Sequence, residues 1–189
     1  MKLLLISSNV FPIPLTAYGG LEQIVYDLAC GLHAKGHQVT VVAPQGSTLP
    51  EGIELIPSVQ NEDEEQTWHR YKQRMESGEF QVIGEHSWNK WAYMSSVARD
   101  PELPIVATIH TQPGIYGIPP PVRYPCLVGL SRQHATDIKL HLKVHAMTAY
   151  NGIALERYKP DPSVTRNGRW LALGRYTVEK GMFQAILIA

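Results

Sequence analysis

The sequence predicts a doubly wound α/β fold, Rossmann-like, with a mainly parallel sheet, and three observations carry that expectation. Residues Lys2 to Ser7 form an unbroken apolar run, the pattern of a strand buried on both faces. A helical pattern and a second apolar, β-branched run follow it, the order of a strand–helix–strand unit with a right-handed crossover. Further strand-like runs then alternate with helical ones to the end of the chain.

The elements are justified in order. After Ser7 comes a loop rich in Pro, Gly and Tyr, from Asn9 to Gly20. Leu21, Ile24, Val25, Leu28, Ala29 and Leu32 recur at spacings of three and four, which predicts a helix. Gly36 stands just past it, where a left-handed cap is expected. Gln38 to Ala43 is β-branched and apolar, a second buried strand, and Ile53 to Ile56 is a short third one. Asn61 to Glu65 is acidic and reads as a solvated loop or helix start. Thr67 to Ser77 reads as a helix of mixed polarity. Phe80 to Ile83 is a strand pattern ending at Gly84-Glu85-His86. Asn89 to Ala98 is expected to be a helix with Trp91, Met94 and Val97 inward. Pro104 to Ile109 is a buried strand ending at His110. Gln112 to Pro125 holds five of the fourteen prolines, too many for regular structure. Cys126 to Leu130 is a strand, and Ser131 is the N-cap of a helix to about Asp137. Ile138 to Ala146 alternates apolar and polar residues, which predicts an edge strand with one wet face. Trp170 to Gly174 reads as a new strand and Met182 to Ala189 as the start of an apolar helix.

Composition excludes several classes. The 189 residues balance 17 basic against 17 acidic side chains, so no chain-wide basic field marks a nucleic-acid binder. Two cysteines, Cys30 and Cys126, make no disulfide framework. No apolar run is long enough for a bilayer span, and Met1 to Ile6 is too short for a secretory signal. A cytoplasmic protein is expected, with peripheral membrane contact left open.

Ligands on open α/β sheets bind beyond the carboxyl ends of the strands, at a switch point. Loops begin there after Ser7, Ile83, Ile109 and Leu130, and they define the candidate residues. Gly19 and Gly20 directly precede a helix, whose free N–H groups and positive dipole end suit an anion; Glu22 lies in the same first turn. The nicotinamide-type G-x-G-x-x-G and the P-loop pattern are both absent. His86 and His110 each stand at a strand end. Glu85 and His86, being neighbours on a strand, point to opposite faces and need not act as a pair. His141 and His145 share a face with Lys139 and Lys143 and lack a third ligand, so no metal site is expected. A serine hydrolase is excluded by the missing G-x-S-x-G elbow.

Six segments in order give the chain a specific likeness. They are Pro14 to Glu22 with its Gly-Gly, Leu32 to Val42 (LHAKGHQVTVV), Ile105 to His110 (IVATIH), Leu127 to Ser131 (LVGLS), Tyr150 to Pro160 (YNGIALERYKP) and Leu173 to Gly181 (LGRYTVEKG). Together they resemble the family 4 glycosyltransferases of the GT-B fold, over essentially the whole chain. The resemblance implies transfer of a hexosyl group from a nucleotide-diphosphate sugar to an acceptor, with retention at the anomeric carbon and no metal or other cofactor. It places Gly19 and Gly20 against the donor phosphates or the acceptor, and His110 beside the reaction centre. Arg175 and Lys180 would hold the diphosphate leaving group, where fixed cations stabilise developing negative charge. It divides the chain into an acceptor-side domain over 1–160, a linker over 161–168, and the first strand and helix of a donor-binding domain over 169–189. The rest of that second domain, with its Glu-x7-Glu segment, is not in these residues. The chain is therefore expected to be the N-terminal half of an enzyme and inactive alone, with self-association through 169–189 left open. The alternative is a non-catalytic Rossmann-like module that binds a sugar or a partner protein.

Overall fold

The computed structural model describes residues 1–16, 19–97, 100, 103–113, 126–165 and 167–188, and leaves out the side chain of Val97. The predicted loop Gln112–Pro125 therefore falls almost wholly outside the described residues. The chain forms two compact units, Met1–Ile153 and Ala154–Ala189.

The first unit is a seven-stranded parallel sheet with helices. In chain order its elements are β1 (Lys2–Ile6), α1 (Gly20–Ala34), β2 (Gln38–Pro44), β3 (Glu54–Ser58), α2 (Glu64–His69), α3 (Lys72–Glu76), β4 (Val82–Glu85), α4 (Trp91–Val97), β5 (Ile105–Ile109), β6 (Leu127–Gly129), α5 (Arg132–Leu142) and β7 (Ala146–Thr148). The strand order is β3-β2-β1-β4-β5-β6-β7. All six pairings are parallel, with Leu3 opposite Val39 on one side and Val82 on the other. The chain winds outward from β1 to β3 and then returns to β4, so the switch point lies between β1 and β4.

Alternation along the central strands builds two cores. Leu3 and Leu5 face Leu21, Val25 and Ala29 of α1, together with Val39 and Val41. Leu4 and Ile6 face the opposite layer, with Trp68, Tyr71, Met75, Tyr93, Ile109 and Ile138 from α2 to α5. This is why β1 reads as a continuous apolar run rather than an alternating one: helices cover both of its faces. Each fully buried apolar side chain here contributes roughly 1.5–3 kcal/mol.

Local chemistry sets the helix ends. Gly36 takes φ 83 after α1, and its N–H donates to the His33 carbonyl at 2.8 Å, the left-handed exit that glycine favours. Ser131 caps α5 by accepting from the His134 N–H at 3.0 Å. The expected helix Thr67–Ser77 is two short helices that break at Arg70 and Tyr71, and it begins earlier, at Glu64, capped by Asp63. On α4 Ala92, Tyr93 and Ser96 are deeply buried, while Trp91 and Met94 pack half-buried against the core.

The expected edge strand Ile138–Ala146 is not formed. Helix α5 runs on to Leu142 and stops at Lys143 in the left-handed region, and β7 begins only at Ala146. Ile138 and Leu142, four residues apart, are buried on one helix face, and Leu140 is exposed. The strict alternation contained that helical pair, and the Ser131 cap committed the segment to helix.

The second unit holds a 3-10 turn at Leu155–Arg157, another at Val178–Lys180 and a helix, α6 (Met182–Ile188). Its described residues include no strand and no buried residue. The predicted strand Trp170–Gly174 is thus absent: a strand needs a neighbour for its N–H and C=O groups, and this unit supplies none. Among the described residues of the whole chain, no helix is long and apolar enough to cross a membrane.

Candidate functional site

The candidate residues of the first unit gather at the carboxyl edge of the sheet, on either side of the switch point. On the β1 side, the segment between β1 and α1 is tied down at several points. Ile13 accepts from the Thr48 N–H at 2.7 Å, Asn9 accepts from the Asn61 N–H at 2.7 Å, and Gln60 donates to the Val10 carbonyl at 2.8 Å. Ser8, fully buried, donates its hydroxyl proton to the Glu22 carboxylate, itself buried in the first turn of α1.

Gly19 and Gly20 do different jobs. Gly19 has φ 150, and a Cβ there would stand 2.6 Å from Leu15 Cδ1 and 2.9 Å from Glu22 Oε2. The atoms in the way are movable side-chain ends, and it is the positive φ that calls for glycine here. A Cβ on Gly20 would meet nothing within 4 Å. Gly19 as N-cap makes no side-chain hydrogen bond, so among the described residues it offers no cap to the first N–H groups of α1, which suit an anion.

On the other side, β4 and β5 end in histidines that meet. The His86 N–H donates to the Ile6 carbonyl at 2.8 Å, which continues the parallel ladder past β4. The His86 Nδ1 lies 2.9 Å from His110 Nε2, with ring centroids 5.1 Å apart. One of these nitrogens carries the shared proton and the other its lone pair. Burial lowers the pKa of His86 to about 3, with Lys90 adding to it. Burial lowers that of His110 to about 2, with His86, Lys90 and His134 adding to it. Both imidazoles are thus neutral at pH 7, able to donate or accept a hydrogen bond without bringing charge.

Thr111, directly after His110, is held from α5. His134 Nδ1 accepts from the Leu130 N–H at 3.1 Å, which leaves the proton on Nε2 to donate to the Thr111 carbonyl at 2.8 Å.

Behind the imidazole pair lies a buried charged cluster. Glu85 is completely buried and accepts from the Ser87 hydroxyl at 2.8 Å and from the N–H groups of Ala92 (3.0 Å) and Tyr93 (2.6 Å). Burial raises its pKa to about 7, opposed by Lys90 and by these hydrogen bonds. Glu64, the first residue of α2, reaches across to the same loop. Its Oε1 accepts from the Trp88 N–H at 2.7 Å and the Asn89 N–H at 2.9 Å, and its Oε2 lies 3.0 Å from the latter. Lys90, 2% exposed, donates from Nζ to the Ser87 carbonyl. Burial lowers its pKa to about 8, opposed by Glu85 and Glu64.

Of the residues singled out from sequence, the structure brings His86 and His110 into direct contact, and sets Glu22 beside Gly19 at the adjacent strand end. Glu85 and His86 point apart, as alternation requires: Glu85 bonds to α4, His86 to His110. Arg175 and Lys180 lie in the second unit, where Arg175 donates to Glu179 at 3.3 Å and Lys180 closes a 3-10 turn. His141 Nδ1 meets the Asp137 carbonyl at 2.9 Å on α5, and the described residues contain no group of three His, Cys, Asp or Glu able to hold a metal.

Sequence reasoning missed Ser8, Glu64, Lys90 and His134. Glu64 was hidden in an acidic run, and Lys90 stood as a lone cation inside the segment read as a helix, directly before Trp91. Only His134 carried a signal, as the third residue of a serine-capped helix that begins at the ligand edge.

Compared with known families, residues 18–157 match the family described as Glycosyltransferase Family 4. No curated protein matches the chain.

Proposed function

This chain belongs to glycosyltransferase family 4, and from that premise we propose that its first unit is the acceptor-side half of an enzyme transferring a hexose from a nucleotide-diphosphate sugar. The observation that carries the reading is the neutral His86–His110 pair at the carboxyl ends of β4 and β5, beside the switch point. A paired imidazole held without charge can hydrogen-bond a sugar hydroxyl, or the acceptor oxygen, beside the breaking glycosidic bond. Gly20 and the open start of α1 are assigned to an anionic or hydroxyl-rich group of donor or acceptor. Arg175 and Lys180 are assigned to the departing diphosphate, where fixed cations offset the charge that builds as the bond breaks. In this reading the reaction retains anomeric configuration and uses no metal.

The test is calorimetric titration of the chain with UDP- and GDP-sugars, repeated with Gly20→Val and His110→Ala. Saturable binding that Gly20→Val abolishes supports the reading, because that position has free space and the fold is spared. Failure of the wild-type chain to bind any of them would overturn the donor assignment for this chain. The second reading, a non-catalytic sugar-binding module, is favoured by the exposed setting of Arg175 and Lys180. Binding without transfer to any acceptor would decide for it.

A further inference from the structure

The loop that carries His86 is held by charges drawn from another part of the chain. Residues 86–90 connect β4 to α4, and their backbone does not close on itself. Instead, the N–H groups of Trp88 and Asn89 both point to the Glu64 carboxylate, at 2.7 and 2.9 Å. Glu64 belongs to α2, which precedes β4, and it is 7% exposed. Lys90 closes the loop from its far end by donating to the Ser87 carbonyl, and Glu85 and Glu64 both favour its positive charge. A carboxylate buried this deeply costs several kcal/mol unless it is paired and hydrogen-bonded. A loop that needed only to turn could be closed by a serine or asparagine at lower cost.

We propose that Glu64 is a positioning residue for His86: its carboxylate fixes the backbone at 88 and 89, so that the His86 ring keeps its hydrogen bond to His110, with Lys90 as its counter-charge. The proposal rests on the reading of His86 and His110 as the sugar-handling pair. Nothing in Glu64 touches substrate; it acts through the loop.

Three variants separate this role from general stability. Glu64→Ala removes the carboxylate that the Trp88 and Asn89 N–H groups donate to. Glu64→Gln keeps an oxygen where Oε1 accepts both, and so should restore most of the geometry. Glu65→Gln, on an exposed neighbour, is the control. The readout is the 15N spectrum of histidine-labelled full chain, which reports tautomer and hydrogen bonding of His86 and His110 directly. Glu64→Ala is expected to shift both ring signals, Glu64→Gln to return them most of the way, and Glu65→Gln to leave them unchanged. Where transfer is measurable, turnover should fall on the order of 10- to 100-fold in Glu64→Ala, with KM within about twofold. Lys90→Met should move the same two signals, so the test survives if Glu64→Ala fails to fold. Ring signals identical to wild type in Lys90→Met, or in a folded Glu64→Ala, would overturn the proposal. If the rings move but the wild type neither binds nor transfers a sugar, the positioning role stands and the functional reading is what fails.

Discussion

The Nδ1 of His86 and the Nε2 of His110 stand 2.9 Å apart, and burial holds both rings neutral. Their linkage to pH has a definite sign. The unfolded chain takes up protons at both imidazoles as pH falls through about 6.5, whereas the folded chain resists until about 3 and about 2. Their contribution to stability is therefore complete above pH 6.5 and is lost on acidification. Glu85 acts the other way. Its carboxyl is raised from 4.5 to about 7, so its contribution is complete below 4.5 and lost as pH rises toward 7. Between pH 4.5 and 6.5 the two imidazoles outweigh the one carboxyl by one proton, about 1.4 kcal/mol per pH unit. Urea unfolding at pH 6.5 and pH 5 should show the chain about 2 kcal/mol less stable at the lower pH. His86→Gln should flatten most of that difference.

Gly129 should resist even the smallest side chain. A Cβ there would lie 2.7 Å from the Ala135 nitrogen, so α5 sits almost against β6. The obstruction is backbone and cannot swing aside. Gly129→Ala should lower stability by about 1–3 kcal/mol, read from the urea midpoint.

The two glycines at the start of α1 should behave oppositely. Gly19→Ala adds a group between Leu15 and Glu22, at φ 150, and should both destabilise the chain and disturb the Ser8–Glu22 hydrogen bond. Gly20→Ala enters open space and should change stability by no more than about 0.5 kcal/mol. Thermal melts of the two variants side by side test this.

Helix α5 gives a third contrast. Ile138 is fully buried and Leu140 is 59% exposed. Ile138→Ala should cost about 2–5 kcal/mol, and Leu140→Ala close to nothing. Comparable losses at both positions would contradict the helical face.

The contrast at α5 also shows where the sequence could be read and where it could not. β1, α1 and β2 were legible because their burial is regular: two covered faces for each strand, one stripe for the helix. His86 and His110 were legible as candidates because strand ends are where parallel sheets gather chemistry. Segment 138–146 misled because Ile138 and Leu142 satisfy both periods, and only the cap and the packing of α5, which leaves Leu140 exposed, decide between them. Trp170 to Gly174 misled because strand propensity says nothing about whether a neighbouring strand exists. Glu64 could not be recognised at all. Its neighbours Asp63 and Glu65 have the same chemistry, and only the folded position of the 88–89 backbone sets it apart.

The placement of β1 in the middle of the sheet has a consequence for how the chain is made. During synthesis β1 leaves the ribosome before either of its neighbours, and Leu3 must wait for Val39 on one side and for Val82 on the other. Contacts so far apart in sequence close slowly, and until they do the most apolar strand of the protein has both faces and both edges bare. The nascent segment is therefore a natural client for a chaperone, and co-translational protection of residues 2–6 should matter more to the yield of folded protein than any single contact at the histidine edge.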